Sequence, residues 1–585
     1  MTDERVVVEV AWEVANKVGG IHTVVSTKAA SLTQRFKNYL CVGPLFAQKK
    51  LENVTEHPPP SELAVVLDDL RLRGIHCLYG TWDIPGSPRV LLLDASSADL
   101  DWDGMKASYW QDFGVDTLRA EWDVLEPLRW ASACGLFLDL YQQRLGVRVL
   151  AQFHEWMAGF GVLYCKQHNA QVKTIFTTHA TVLGRSLSSS TNEDIYSLIE
   201  SVDIDAQARE LGVFEKHSSE KAAALACDVF TTVSEITSLE ASYVLSRSPD
   251  VILPNGLVSE SDSERSVLHR VSRERLRDFV YAYFFGHHQF DLDETLLFFT
   301  NGRYEFHNKG LDVLTDALGV LNRRLREANH KKRVVVFYCI PSDSHNIKED
   351  VLQSQRAFSS LRLFVDEHVD DLKRRLLRSA LRIGSLSSDE ILDDSVREQI
   401  SSLAQQLVRS RPPSVCTHHL PGESSDDLVR FFSRNELTNS ADDWVKVIRL
   451  PVYLDGADGL LNLSMQEVGS GCHLGLFVSY YEPWGYTPLE SATWGTPAIT
   501  TDLAGFGRFV REHASSQQGV VVLDRHKKSY EDVVSSLASA MFSFVELSQD
   551  ERRLRREEAL GVSSLAQWSE FIKHYFSAFD LAYEK

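Results

Sequence analysis

The acid with the clearest chemical character is Glu482, set in a turn of aromatics, glycine and proline: Ser479-Tyr480-Tyr481-Glu482-Pro483-Trp484-Gly485-Tyr486-Thr487-Pro488-Leu489-Glu490. The apolar run 474–478 before it reads as a buried parallel strand, which puts Glu482 at the carboxyl end, where open α/β sheets hold their ligands. Behind the turn, Thr487 as N-cap, Pro488 at the first helical position and Glu490 three residues on compose a capping box. Glu490 thus has a structural duty and Glu482 has none. A second cluster, Asn301-Gly302-Arg303-Tyr304-Glu305-Phe306-His307-Asn308-Lys309-Gly310, follows another strand. The planar fork of Arg303 and the point charge of Lys309 suit a diphosphate that gains charge as it leaves. A third, Asn16-Lys17-Val18-Gly19-Gly20, is a glycine turn ahead of a helix whose N-terminus attracts an anion.

Two histidines, in Phe153-His154-Glu155-Trp156 and Thr177-Thr178-His179-Ala180-Thr181-Val182-Leu183-Gly184-Arg185, sit at adjacent strand ends and face one crevice. Each is a satisfied structural residue or a ligand contact, and we expect at least one to be a contact. Three Asp-x-Asp triplets (101/103, 203/205, 291/293) match the chance rate of so acidic a chain, and Cys416-Thr417-His418-His419 reads as a loop, so no metal site is expected.

The elements that must position these groups alternate. Apolar runs at 6–11, 39–42, 89–93, 149–153, 174–177 and 229–233, with helical patterns between them, are the rhythm of a doubly wound sheet. A turn at Pro254-Asn255-Gly256 and a polar stretch separate it from a second sheet with strands near 296–300, 334–339, 445–450, 474–478 and 497–500. This divides the chain into a first domain, 1–254, and a second, 255–561, with helix 562–585 returning to the first. Within the second domain an insertion at about 350–411 carries Phe358, Leu361, Val365, Val369, Leu372 and Leu376, then Val396, Ile400, Leu403 and Leu407, at three-and-four spacing. It predicts a helical hairpin that folds on its own domain or makes an oligomer contact. The arginines of Arg552-Arg553-Leu554-Arg555-Arg556 form either a solvated face or an anion site.

With 585 residues and 44% apolar content, the chain has material for more than one core, and its net charge of −20 argues against nucleic acid and anionic membranes as partners. Eight cysteines without framework spacing, no signal peptide and no membrane-length apolar stretch predict a cytoplasmic protein.

Taken together, the segments Glu9-Val10-Ala11-Trp12-Glu13-Val14, Asn16 to Gly20, Phe153 to Trp156, Phe176 to Thr181, Pro254-Asn255-Gly256-Leu257, Gly302 to Phe306, Gly471-Cys472-His473-Leu474-Gly475 and Tyr480 to Pro488 resemble glycogen synthase of the eukaryotic type, in order from about residue 5 to about 580. The resemblance implies two Rossmann-like domains about a cleft (GT-B). It also implies transfer of glucose from UDP-glucose to the 4-hydroxyl of a glycogen chain end, with retention and without metal or cofactor. Carried over, Lys17, Arg303 and Lys309 hold the diphosphate beside Gly19 and Gly20, and His179 and Arg185 bind the donor glucose side. Glu482 holds the transferred glucose, Trp484, Gly485 and Thr487 line the donor site, and Glu490 reaches the ribose.

The resemblance further implies activation by glucose 6-phosphate through His269, Arg273, His473, Arg552 and Arg556. Glu558 and Gly561 stand where the family has arginines, so weaker coupling is expected. It implies a homotetramer and glycogenin as a partner, and control through the family's phosphorylated tails is not expected. The readings that stay open are a sucrose or trehalose-phosphate synthase-like transferase and a catalytically silent glycogen-binding scaffold.

Overall fold

A computed structural model describes residues 3–46, 53–146, 148–191, 194–259, 261–381 and 394–585. Among these, a nine-stranded sheet is built from β1 (Asp3–Val10), β2 (Phe36–Pro44), β3 (Val54–Glu56), β4 (His76–Trp82), β5 (Arg89–Asp94), β6 (Val149–His154), β7 (Val172–Thr178), β8 (Val229–Thr232) and β9 (Val251–Ile252), in the order β3-β4-β5-β2-β1-β6-β7-β8-β9. From β5 to β9 it is parallel, and helices cover both faces, which is why these runs are apolar throughout. The antiparallel edge of β3 and β4 is absent from the sequence reading. Its strands mix His, Thr and Gly with apolar residues, as a half-exposed edge does.

The second sheet is wholly parallel: β10 (Thr295–Asn301), β11 (Arg333–Cys339), β12 (Val445–Leu450), β13 (Leu474–Leu476), β14 (Ala498–Thr501) and β15 (Val520–Leu523), in the order β12-β11-β10-β13-β14-β15. β15 is a further strand that the sequence reading lacks. Alternate residues of β10 pack on opposite faces: Leu296 and Phe298 join helices Leu311–Glu327 and Tyr530–Glu546, while Leu297 and Phe299 face the helix Asp262–Phe284.

Strand and helix ends bring the chain across between the sheets twice, side by side. Leu257 bridges to Gln567, and a side chain at Gly256 would meet the Trp568 backbone at 2.9 Å. The helix Gln549–Leu565 runs unbroken through position 562, and the helix Trp568–Glu584 then lies on the first sheet against Gly20–Arg35, its Trp568 indole donating to Thr27 Oγ1 at 2.7 Å. The insertion consists of Glu349–Ala380 and Asp394–Gln405, packed on each other, with residues 382–393 outside the described range. Near its root Phe358 stacks on Tyr281, whereas Val365, Val369 and Leu376 are exposed farther along.

Both catalytic-looking loops depend on a few positions that tolerate only glycine. Gly310 (φ +65°) ends the Arg303 to Lys309 loop, and a Cβ there would lie 2.0 Å from the Val478 carbonyl oxygen. Gly310→Ala therefore adds left-handed strain to a backbone collision, and we expect it to cost on the order of 2–4 kcal/mol. Urea unfolding of the two proteins measures this, and equal midpoints would show that the loop shifts freely.

Candidate functional site

The carboxyl ends of the two sheets face each other. From the second, Lys309 Nζ lies 2.6 Å from Glu482 Oε2, and each side chain is 19% exposed. Glu482, which had no structural duty in the sequence, has an ionic partner here, and its backbone bridges to Ala504. Arg303 is mostly exposed beside Glu305, at 2.9 Å. From the first sheet Arg185 enters among Glu155, Glu305 and Glu482; burial works against its charge, but these acids raise its pKa.

His179 ends a buried relay. Glu9, near the carboxyl end of β1, is 1% exposed and pairs with Lys28, 0% exposed. Burial pushes the Glu9 carboxyl up, but Lys28 and His154 outweigh it and hold it at about 2. Tyr39 also donates to Glu9, and His154 Nε2 lies 2.7 Å from Glu9 Oε1. Facing an ionised acid, Nε2 carries the His154 proton. Nδ1, 2.9 Å from His179 Nε2, therefore accepts the His179 proton. Burial lowers both imidazole pKa values, so each ring is neutral, and His179 is left with Nδ1 as an acceptor fit for a sugar hydroxyl. Both histidines were expected to face one crevice, with at least one in contact with ligand; in this geometry His154 is bonded to Glu9 and His179 and so positions His179.

Three further acids, missed from sequence, hold the loop after β7. Glu155, itself in the left-handed region at φ +65°, accepts the N–H groups of His179 and Ala180 at 3.0 and 3.2 Å. Glu220 accepts from Thr178 and Val182. Glu240 accepts from Thr181 Oγ1 at 2.5 Å and, across the cleft, from Tyr481 Oη at 2.9 Å. Other bonds that join the domains run between Ser188 and Asn308 and between Ser234 and the Pro483 carbonyl.

Two local expectations are corrected. The capping box at Thr487 and Glu490 does not form, because Gly485 (φ +106°) is the N-cap of the helix Tyr486–Thr493 and no side chain caps it. The helix starts two residues early, since a left-handed Gly485 can turn the chain straight into it. Glu490 lies deeper in the helix, where burial pushes its carboxyl up to about 7 against the pull of Lys17 from the opposite domain. The helix Gly20–Arg35 is not an open anion site either, since Glu13 Oε2 accepts the N–H groups of Gly19 (2.7 Å) and His22 (2.9 Å). Lys17 remains exposed beside it. Gly20 approaches Tyr486 of the other domain, where a Cβ would come within 3.8 Å of the ring. The Trp484 indole packs among Phe506, Phe509 and Phe571, so it supports the turn from behind.

The triplet aspartates cap helices or pair with bases: Asp101 and Asp203 are N-caps, and Asp205 meets Lys221. Among the described residues no group of three or more His, Cys, Asp or Glu is arranged to hold a metal ion. Away from the cleft, at the amino ends of β10 and β13, His269, Arg273, His473, Arg552 and Arg556 line one cavity of about 610 Å³. The arginine helix splits its faces. Arg555 pairs with Glu558, whereas Arg552, Arg553 and Arg556 line this cavity. Burial lowers Arg556 to about 10, and burial with neighbouring cations lowers Arg273 to about 9. His473 is approached by donors on both nitrogens, Leu297 N–H at 2.9 Å and the Arg273 guanidinium at 2.5 Å. A neutral ring accepts on one side only, so positive hydrogen-bonding capacity is left over for an anion.

Two parallel doubly wound sheets with cationic and acidic side chains converging in the cleft between them define a glycosyltransferase of the GT-B class. A sucrose-phosphate synthase from Thermosynechococcus elongatus shares the fold at 11% identity and a TM-score of 0.50, over 99% of this chain and 100% of that one. Residues 9–585 match the glycogen synthase family model, and the chain belongs to that family. It is 36% identical to the liver glycogen (starch) synthase of Mus musculus over 584 residues, 98% of this chain and 82% of the mouse protein. It is 35% identical to glycogen (starch) synthase isoform 2 of Saccharomyces cerevisiae over 609 residues, 98% of this chain and 85% of the yeast one. The chain is thus a glucosyltransferase that extends an α-1,4-glucan from a nucleotide-sugar donor.

The buried acids fix a pH signature. Burial leads the shifts of Glu155, Glu240 and Glu490, whose carboxyls reach about 7 from an ordinary 4.5. The folded state then binds protons that the unfolded state has released, so stability falls as pH rises from about 4.5 to about 7. Glu9, depressed to about 2, has the opposite sign, and its contribution is lost as pH falls from about 4.5 toward 2. Thermal unfolding from pH 3 to 8 is expected to peak in between, and Glu240→Gln to flatten the upper slope. A melting temperature that climbs from pH 5 to 8 alike in both proteins would contradict this.

Proposed function

We propose that the chain transfers glucose from UDP-glucose to the non-reducing 4-hydroxyl of a glycogen chain with retention of configuration, and that glucose 6-phosphate activates it. The observation that carries the reading is the convergence of the Lys309–Glu482 pair with Arg185 and His179 at the facing strand ends. Lys309 and Arg303 neutralise the diphosphate as it leaves, with Lys17 from the other domain. Glu482, paired with Lys309 at 2.6 Å, steadies positive charge at the anomeric carbon. His179 Nδ1 accepts a hydroxyl of the donor glucose, and Arg185 sits on the same side. Glu490 accepts from the ribose, and the uncapped helix start at Gly485 and Thr487 adds backbone donors for the phosphates.

A retaining glycosidase places a second carboxylate across the sugar. Here Glu482 is bound to a cation, and Glu490 belongs to the nucleotide side. Front-face transfer fits better: the departing phosphate oxygen takes the proton of the acceptor hydroxyl as the new bond forms on the same face.

The cavity of His269, Arg273, His473, Arg552 and Arg556 takes the phosphate of glucose 6-phosphate. Its inward arginines support this, while Glu558, bound to Arg555 at 2.9 Å, and Gly561 remove cations farther along the helix and weaken the coupling. The exposed Val365, Val369 and Leu376 of the insertion support an oligomer contact. The division 1–254 and 255–561, with the last helix on the first domain, follows the two sheets.

Labelled UDP-glucose with glycogen is expected to give incorporation that Glu482→Gln lowers by at least about a hundredfold. Undiminished activity of that variant would remove Glu482 from the mechanism, and incorporation only from ADP-glucose, or only into glucose 6-phosphate, would overturn the donor or the acceptor. Saturating glucose 6-phosphate is expected to raise the rate of the wild type, and Arg556→Ala to abolish the rise. No response of the wild-type rate or donor affinity would remove the activator.

A further inference from the structure

The helix Val182–Ser190, which carries Arg185, has four serines among its nine residues. Each hydroxyl bonds back to a carbonyl of the preceding turn: Ser186 to Val182, Ser188 and Ser189 to Arg185, and Ser190 to Leu187. Serines that bond in this way loosen a helix slightly rather than stabilise it. The start of the helix is fixed, because Thr181 caps Gly184 directly after the His179 loop. The position of its last turn then depends on what that turn touches.

It touches Asn308 of the second domain. Ser188 Oγ donates to Asn308 Oδ1 at 2.9 Å, and Asn308 Nδ2 donates to Ser189 Oγ at 2.7 Å. Asn308 is 4% exposed and Ser188 2%, so the contact is sealed from water. The main chain of Asn308 reaches the other way: its carbonyl accepts the Tyr480 N–H at 2.9 Å, two residues before Glu482. Lys309, the next residue, pairs with Glu482. Asn308 thus joins the Lys309 loop, the Glu482 turn and the helix of Arg185.

The Ser188 hydroxyl has one proton and two acceptors within reach, the Arg185 carbonyl at 3.1 Å and Asn308 Oδ1 at 2.9 Å. It can exchange one for the other, and Ser189 keeps its bond to the Arg185 carbonyl while it accepts from Asn308. Separation of the two domains therefore strands neither hydroxyl. A contact of this kind costs little to break and remake, which suits a cleft that must admit and release its ligands.

We propose that Asn308 is a positioning residue: with Ser188 and Ser189 it clasps the helix Val182–Ser190 and seats Arg185 beside Glu482 when the cleft closes. Positions three and four beyond Arg185 lie on its own face of the helix, so a grip on them fixes where its guanidinium can reach. With the clasp formed, Glu305 and Glu482 of the second domain both act on the Arg185 charge. The step that Arg185 then serves rests on the transfer reading above.

Transfer from UDP-glucose to glycogen tests it. Asn308→Ala is expected to lower kcat about tenfold and to change the donor KM less than about twofold, because the clasp acts after the donor has entered. Ser189→Ala removes an exposed hydroxyl and one of the two bonds, and is expected to lower kcat about threefold, whereas Ser189→Thr, which keeps the hydroxyl, restores it. In an Arg185→Ala background Asn308→Ala is expected to add no further loss. Losses that multiply there would show that Asn308 does not act through Arg185. Wild-type kcat in both Asn308→Ala and Ser189→Ala would remove the clasp and leave the enzyme reading intact. Small-angle scattering with UDP present reads the clasp without turnover, and Asn308→Ala is expected to show the larger radius of gyration. That result in a chain whose wild type transfers nothing would uphold the clasp and overturn the enzyme reading. Equal radii would overturn the clasp whether or not the wild type is active.

Discussion

The molecule depends on a charge that the hydrophobic effect alone would exclude. Glu9 sits in the central strand of the first sheet with almost no solvent contact, and an ion so placed costs several kcal/mol unless it is paired and hydrogen-bonded. Lys28, Tyr39 and His154 meet that requirement. Lys28 is itself buried, and its ammonium lies 4.3 Å from the ring centroid of Tyr575, on the helix Trp568–Glu584 that the chain brings back after finishing the second sheet. The last helix thus covers the counter-ion of the acid that sets the tautomer of His154 and, through it, the free nitrogen of His179. An arrangement at the cleft is secured by a segment nearly four hundred residues away in sequence, which ties completion of the chain to the competence of its first domain.

Around this relay each domain brings its own groups to the cleft. The first supplies imidazoles whose pKa burial lowers and carboxyls whose pKa it raises to about 7, together with Arg185 and Lys17. The second supplies the Lys309–Glu482 pair and Arg303. Both sets serve the proposed transfer, in which hydroxyls are accepted on one side and the charge of a departing diphosphate is spread on the other. The bonds from Tyr481 to Glu240 and from Ser234 to Pro483 hold the turn of Glu482 against the first domain, so the acid that lies beside Lys309 is also fixed relative to His179 and Arg185.

Much of this was legible in the sequence where burial is two-sided. Residues 334–339 and 149–153 are apolar without break because parallel strands are covered on both faces, and their positions follow directly. The charged loops after β10 and β13 were legible for the same reason, since polar residues right after such a strand have only the cleft to enter. What could not be read depends on conformation or on distant partners. Gly485 adopts a left-handed φ and moves the helix start, which turns Glu490 from an expected cap into a buried acid facing Lys17. Glu13 takes the backbone donors that the glycine turn offered to an anion. Glu9 did carry a signal, because an acid inside Val-Val-Val-Glu-Val, in a strand with no wet face, requires a partner, but nothing local says that the partner is Lys28.

The two anion-attracting regions lie at opposite ends of the second sheet, and this constrains how one influences the other. The inward arginines project from the helix Gln549–Leu565, which packs against the helix Tyr486–Thr493 that starts at Gly485 and carries Glu490. Arg556 comes within 3.5 Å of where a side chain at Gly495 would stand, just past the end of that helix. The arginine helix ends at Leu565, and after the turn at Ala566 and Gln567 the separate helix Trp568–Glu584 covers Lys28. On the proposed activator reading, an anion held between Arg552 and Arg556 would bear on the donor-side helix that packs against theirs. That helix carries Tyr486 and Glu490, which face Gly20 and Lys17 across the cleft, so the same contact would reach both of its walls.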